Sequence, residues 1–182
     1  MSTPLAAQHP PERSGLVSVV AEDFAAVLGR HARAVAVITA GTSRPVGFCA
    51  TSLAPVSLRP PVLSFAIGRR TLSWRTIERS RHVLVHLLAE DQEAVAATFA
   101  RRGDKFGALA WHRGPFGLPE LDDVLACLAL ELEHQFQLGD HAIVVGRPVA
   151  AVRGRSRRPL LHMDGSYVGL PPIGSTASTV VP

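Results

Sequence analysis

The sequence predicts a mainly β domain, an antiparallel barrel, closed or split, with a few peripheral helices. Three observations carry that reading. Short β-branched runs recur along the chain, bounded by Gly, Pro and Asp. Only three segments carry a helical period. Strands and helices do not alternate regularly, which argues against a doubly wound parallel sheet.

The elements follow in order. Val20 to Ala32 has a helical period, with Phe24, Val27, Leu28 and His31 on one face. Glu22 and Asp23 open it and Arg30 lies near its end, as the helix dipole favours. Ala34 to Ala40 is a β-branched run stopped by Gly41, and Val46 to Ser52 is its expected antiparallel partner. Val62 to Ile67 is a strand introduced by Pro60 and Pro61. A short helix, Leu72 to Ser80, turns Trp74 and Ile77 inward. His82 to Leu88 is a further strand. Glu90 to Arg102 is a better-marked helix, opened by Glu90, Asp91 and Glu93 and closed by Arg101, Arg102 and Gly103, with Val95 and Phe99 as its buried stripe. Cys127 to Phe136 and His141 to Val152 read as strands joined at Gly139-Asp140.

The chain has 182 residues, enough for one domain with a real core. Hydrophobic residues make up 47% and charged residues 19%, a balance that excludes global disorder. Residues 1–18 and 171–182 are rich in Pro, Gly, Ser and Thr and read as flexible tails around a single domain, 19–170. The net charge of +4 permits attraction to phosphate-bearing small molecules but does not demand nucleic acid. The run Arg153 to Arg158 holds four arginines, read as a solvated loop or as an electrostatic aid to a phosphorylated ligand; no aromatic platform accompanies it. No leader-like apolar segment and no run of about 18 apolar residues is seen, so no membrane partner is expected and a cytoplasmic protein is.

Most catalytic motifs are missing. The chain has no GxGxxG, no GxxxxGK[ST], no GxSxG, no HExxH and no CxxC. Cys49 and Cys127 cannot make a disulfide framework. His82 and His86 are four apart, but the intervening Val83, Leu84 and Val85 favour a strand, so they read as hydrogen-bonded strand histidines and no metal is expected.

One constellation does point to a ligand. In Gly47-Phe-Cys-Ala-Thr-Ser-Leu-Ala-Pro-Val-Ser-Leu-Arg-Pro-Pro61 a strand of small and hydroxyl residues passes into a turn. Small side chains let a flat ring approach the backbone, and amides with Thr51, Ser52 and Ser57 hydroxyls can bond its polar edge. Ile67-Gly-Arg-Arg-Thr-Leu-Ser-Trp74 then ends a strand with amides, hydroxyls and guanidinium groups that suit a phosphate.

Together with Phe99, Lys105-Phe106, Gly139-Asp-His-Ala-Ile-Val-Val-Gly146 and Pro159-Leu-Leu-His-Met-Asp-Gly-Ser-Tyr167, these segments resemble the flavin reductase family. Those are small NAD(P)H-dependent split-barrel proteins that bind FMN or FAD and serve two-component monooxygenases. The resemblance covers roughly residues 20 to 170. It implies the FMN-binding type of antiparallel split barrel and a homodimer with the flavin groove near the subunit interface. Phe48, Cys49, Ala50, Thr51, Ser52 and Ser57 would line the ring and ribityl chain. Gly68, Arg69, Arg70 and Ser73 would meet the phosphate, and Lys105 and Phe106 would close the pocket. His141 would stand near the nicotinamide as the catalytic residue, with Tyr167 at the rim. Three residues depart from the family pattern: Cys49 for Thr, Arg59 for Asp, His162 for Tyr.

The implied reaction is hydride transfer from NADH or NADPH to a loosely held, exchangeable flavin, with the reduced flavin passing to a monooxygenase. Backbone amides at Ala50 to Ser52 would steady the negative charge. The competing reading is a flavin-binding electron carrier that does not oxidise pyridine nucleotides.

Overall fold

The computed structural model describes residues 19–170. The two expected tails, 1–18 and 171–182, lie outside the described residues. In chain order the elements are α1 (Ala21–Gly29), β1 (Arg33–Ala34), β2 (Ala36–Ala40), β3 (Val46–Ala50), β4 (Ala54–Leu58), β5 (Pro61–Gly68), α2 (Leu72–Ile77), β6 (His82–Leu87), α3 (Glu93–Ala100), β7 (Trp111–Arg113), β8 (Pro119–Leu121), β9 (Ala126–Leu138), β10 (His141–Arg153), β11 (Leu161–Met163) and β12 (Ser166–Val168).

Seven strands form one antiparallel sheet in the order β3-β2-β6-β9-β10-β5-β4. β3 and β4 are therefore its opposite edges, yet only three residues, Thr51 to Leu53, join them. So short a link forces the sheet to curl until its edges lie side by side. The result is a barrel with a split rather than a closed ladder. The Ser52 hydroxyl continues the β4–β5 register into the link, accepting from Ala66 N at 2.9 Å and donating to Ala66 O at 3.3 Å.

Two apolar clusters sit on the two faces of the sheet. Inside the barrel are Ile38, Leu63, Phe65, Val83, Val85 and Leu130, capped by Trp74 and Ile77 of α2. Outside, Val37, Leu84, Phe99, Leu118 and Leu121 pack under α3 and the β7–β8 hairpin. β2 is covered on both faces and all five of its residues are buried. That explains its unbroken apolar run.

Four features differ from the sequence reading. Ala54 to Leu58 is an edge strand rather than part of a turn. Pro55 and the small residues around it hide the alternation, and Pro is tolerated at an edge. The three-residue strands β7, β8, β11 and β12 are too short to show a period. In α3 the fully buried residues are Ala96 and Phe99, with Val95 only half-buried. α1 ends at Gly29, and its apolar residues Phe24, Val27 and Leu28 are exposed.

The strand histidines are both engaged. His82 stacks on Phe116, with centroids 3.8 Å apart and planes 5° from parallel. His86 is fully buried and uses both ring nitrogens on backbone: Nδ1 lies 3.1 Å from Val37 O, and Nε2 accepts the Leu121 amide at 3.1 Å.

Candidate functional site

The split lies beside the stretch that the sequence singled out. Strand alternation divides that stretch. Phe48 and Ala50 turn into the barrel, where Phe48 meets Phe65 at 6.1 Å. Cys49 turns outward toward α3 and Phe106. What Phe48 and Ala50 can offer a ligand is therefore backbone, along an edge that no strand among the described residues covers. The bend that follows is open: Ser52, Ala54, Pro55 and Val56 are exposed, and Thr51 and Ser57 are half-buried. Ser57 Oγ accepts the Arg59 amide at 3.2 Å, which shapes the far end of the bend.

Gly47 is the hinge of the arrangement; the sequence reading has it only as the first residue of the small-residue stretch, with no role of its own. Its carbonyl accepts from Ser73 Oγ at 3.0 Å and from Lys105 Nζ at 3.1 Å. Ser73 is buried, so its hydroxyl ties α2 to β3. Lys105 also donates to Phe99 O at 2.8 Å, which ties the loop after α3 to the same point. Burial pulls the Lys105 ammonium below its ordinary pKa, with Cys49 acting in the opposite sense. Burial likewise pushes the Cys49 thiol up, opposed by Lys105 and by a hydrogen bond with Tyr167. Cys49 is thus a neutral thiol at neutral pH. Phe106 stacks edge to face on Phe99 at 5.4 Å and on Trp111 at 5.4 Å. Phe106 is half-buried against the outer core, against which Cys49 and Tyr167 also pack.

A second group sits at the end of β5. Register brings Gly68 opposite His141. A Cβ on Gly68 would stand 3.7 Å from His141 Nε2, so that nitrogen looks out over bare backbone. His141 Nδ1 lies 2.7 Å from Asp140 Oδ1; a carboxylate only accepts, so Nδ1 carries the hydrogen. That hydrogen bond, then the imidazole charge, holds the exposed Asp140 carboxyl below its ordinary pKa. On sequence alone His141 reads equally as a turn histidine bonding Asp140, and that bond is present. Arg69, Arg70, Gly139 and Asp140 enclose a cavity of about 450 Å³. Arg69 is anchored there through its amide to Asp140 O at 2.9 Å and Nη1 to Gly139 O at 3.3 Å. Thr71 caps α2, but that helix has six residues, so any anion affinity here comes from the guanidinium groups.

The arrangement fits a flavin phosphate ester: an open bend with free amides, two arginines at one end and no acidic wall except Asp140, itself paired with His141. A larger cavity of about 690 Å³ lies at the other end of the β9–β10 hairpin. Its walls include Glu120, Asp122 and Asp123, which would repel phosphate. The basic run is also accounted for in part. Arg155 clamps Asp91 through two bonds of 2.8 and 3.0 Å, and Arg158 faces Glu90 at 3.8 Å. These two arginines pin a loop to the start of α3.

Comparison with known proteins gives the same direction. Residues 28–171 match the model of the flavin reductase like domain. The chain is 38% identical over 151 residues to the reductase subunit HsaB of a flavin-dependent monooxygenase from Rhodococcus jostii RHA1, covering 82% of this chain and 77% of that protein. It superposes with a TM-score of 0.80 on a flavin reductase domain protein from Arthrobacter sp. FB24, at 34% identity, covering 84% of this chain and 97% of that one. It also superposes, with a TM-score of 0.80 and 27% identity, on the NADH:FAD oxidoreductase SgcE6 of Streptomyces globisporus C-1027 in complex with NAD and FAD fragments, covering 86% of this chain and 99% of that one.

Proposed function

The chain belongs to the flavin reductase-like family, and from that premise we propose that it is an NAD(P)H:flavin oxidoreductase that supplies reduced FMN or FAD to a monooxygenase. The observation that carries the reading is the open bend at the split, flanked by Arg69, Arg70 and His141. When bound, nicotinamide and flavin supply the hydride chemistry between them.

The chain's own residues bind and orient. The amides of Thr51 to Leu53 face the polar edge of a flat ring, and Arg69 and Arg70 hold its phosphate. Lys105 and Ser73, both on Gly47 O, keep the β3 edge in place. Asp140 fixes His141 with Nε2 free to accept, which suits the carboxamide N–H of a nicotinamide. Phe106 and Tyr167 form the outer rim beside Cys49. Contacts this few and polar suit a flavin that leaves after reduction, with micromolar affinity, on the order of −8 kcal/mol.

A homodimer belongs to the same proposal. Phe24, Val27 and Leu28 of α1, Val56 and Leu58 of β4, and Phe136 and Leu138 of β9 are all exposed. Monomers seldom leave so much apolar surface uncovered. A cytoplasmic setting, where pyridine nucleotides are at hand, is proposed with it; no helix among the described residues is long and apolar enough to cross a membrane.

The test is direct. Protein, NADH or NADPH and catalytic flavin are mixed in air and nucleotide absorbance is followed. Flavin-dependent consumption is expected, and its absence with both nucleotides overturns the assignment. A His141→Ala variant should raise the KM for NADH about tenfold, or 1.4 kcal/mol, and leave flavin affinity unchanged. Equal KM values would remove the role given to that ring.

A further inference from the structure

Two side chains outside the groups described so far are left incomplete. Arg33 Nε and His162 Nδ1 are buried, and neither has a hydrogen-bond partner. None of the ion pairs among the described residues includes Arg33. A buried nitrogen without a partner is rare in native proteins, and an unrecorded ion or ligand is one of its standard explanations. Here two of them stand side by side.

Register places them. Arg33 of β1 is opposite His162 of β11, and His162 is opposite Tyr167 of β12. Directly opposed residues project from the same face of a sheet. Arg33, His162 and Tyr167 therefore form one row across the three-stranded sheet. The His162 and Tyr167 rings meet edge to face at 5.6 Å. Tyr167 packs against the outer core together with Cys49, whose strand leads into the open bend. The row thus runs from beside that strand outward to a guanidinium with no carboxylate partner among the described residues.

The chemistry of the missing group follows from the donors. A guanidinium fork beside an imidazole takes an oxyanion, either carboxylate or phosphate. Continuity with the groove selects phosphate. We propose that Arg33, His162 and Tyr167 form a subsite for the adenosine-side phosphate of a dinucleotide whose ring end lies at the Thr51–Leu58 bend and whose other phosphate, in FAD, is the one held at Arg69 and Arg70. This rests on the flavin reductase reading. Both FAD and NADH carry an adenosine-side phosphate, and FMN does not. Arg33 supplies the fork, His162 Nδ1 a further polar contact, and Tyr167 the side wall toward Cys49. Of the acids in this region, Glu93 bears on Tyr167, and Asp164 has its carboxylate over Gly29 of α1. Because the two nitrogens lie beneath other atoms, engagement includes a rotamer change of Arg33 or His162.

The experiment measures binding without turnover. ADP, which carries an adenosine-side phosphate and no redox ring, is titrated calorimetrically into wild-type protein, Arg33→Gln, Arg33→Lys and His162→Gln. Wild type should bind ADP, Arg33→Gln about tenfold more weakly, and Arg33→Lys in between, since it keeps the charge but not the fork. FMN affinity should stay within twofold throughout, which also shows that the variants are folded. FAD affinity and the KM for NADH then tell the sources apart: the dinucleotide that loses about tenfold in Arg33→Gln is the one that uses the row. Absence of ADP binding to wild type, or values for ADP, FAD and NADH within twofold in every variant, overturns the proposal. So does loss of the oligomer in Arg33→Gln with ADP binding intact, because a carboxylate of a second copy would then be the acceptor. Should wild type oxidise neither nucleotide with any flavin, the flavin reductase reading fails, while the ADP titration still decides whether the row binds an adenosine-side phosphate.

Discussion

Lowering the pH from 7 to 4 is expected to remove about 3 kcal/mol of stability through His86 alone. The ring is buried between β2 and β8, with Nδ1 on Val37 O and Nε2 receiving the Leu121 amide. A second proton on Nε2 would face that N–H and would place a charge in apolar surroundings. Burial, more than the charge of His112, therefore takes the pKa from 6.5 down to about 4, against the raising effect of the Val37 bond. The sign follows. Above pH 6.5 the ring is neutral folded or unfolded, and the contribution is fully present. Between 6.5 and about 4 only the unfolded chain takes up the proton, so stability falls by about 1.4 kcal/mol per pH unit. Below about 4 the folded protein protonates too and the loss levels off. Denaturant unfolding at pH 7, 5.5 and 4 checks this. His86→Gln should be less stable at pH 7 and much flatter with pH, and parallel curves for the two proteins would show that another group is responsible. Asp91, Glu131 and Asp140, whose pKa values are lowered by arginine or histidine partners, act in the more acidic range.

Replacing Gly47 should be the most damaging single change near the candidate site. A Cβ there would stand 2.5 and 2.9 Å from two ring carbons of Phe99 and 3.2 Å from Ile38 O. Phe99 is 1% exposed and wedged against Phe106, so it cannot retreat. The β3 edge must move instead, and the bonds from Ser73 and Lys105 to Gly47 O go with it. Gly47→Ala is expected to cost about 2 kcal/mol and Gly47→Val about 4 kcal/mol, at and beyond the usual range for overpacking. Flavin affinity should fall in both. Urea unfolding and a flavin titration measure the two effects. Phe99→Leu in the Gly47→Ala background should return part of the lost stability, because the clash is with that ring. A Gly47→Ala protein within 0.5 kcal/mol of wild type would mean that α3 yields more easily than its burial suggests.

Much of the architecture was legible in the sequence for a physical reason. β2, β3, β5, β6, β9 and β10 are long enough for alternation or a β-branched run to show, and an antiparallel barrel, closed or split, follows from their spacing; that it is split came with the family resemblance. The hairpin β11–β12 was not recognised, although Asp164 and Gly165 both adopt positive φ, 48° and 77°, as an Asp-Gly turn between two strands does. α1 shows another limit: its period marks an apolar face correctly but says nothing of what covers it. At the candidate site, hydroxyl, arginine and histidine residues could be picked out because their chemistry is visible in isolation. Gly47 could not. Its importance comes from a ring 52 positions further along, a contact that only the folded chain creates.

The three-residue joint between opposite edges of the sheet has a mechanical consequence. A barrel is stiff where every stave is pinned to its neighbours, and here the seam between β3 and β4 has no ladder among the described residues. The seam is where the molecule deforms at least cost. A flat guest lying along it supplies the missing neighbour, so occupancy and stiffness become linked quantities. Whatever the guest gains by docking, the seam would gain in resistance to opening, and on the proposed reading its departure would return that gain.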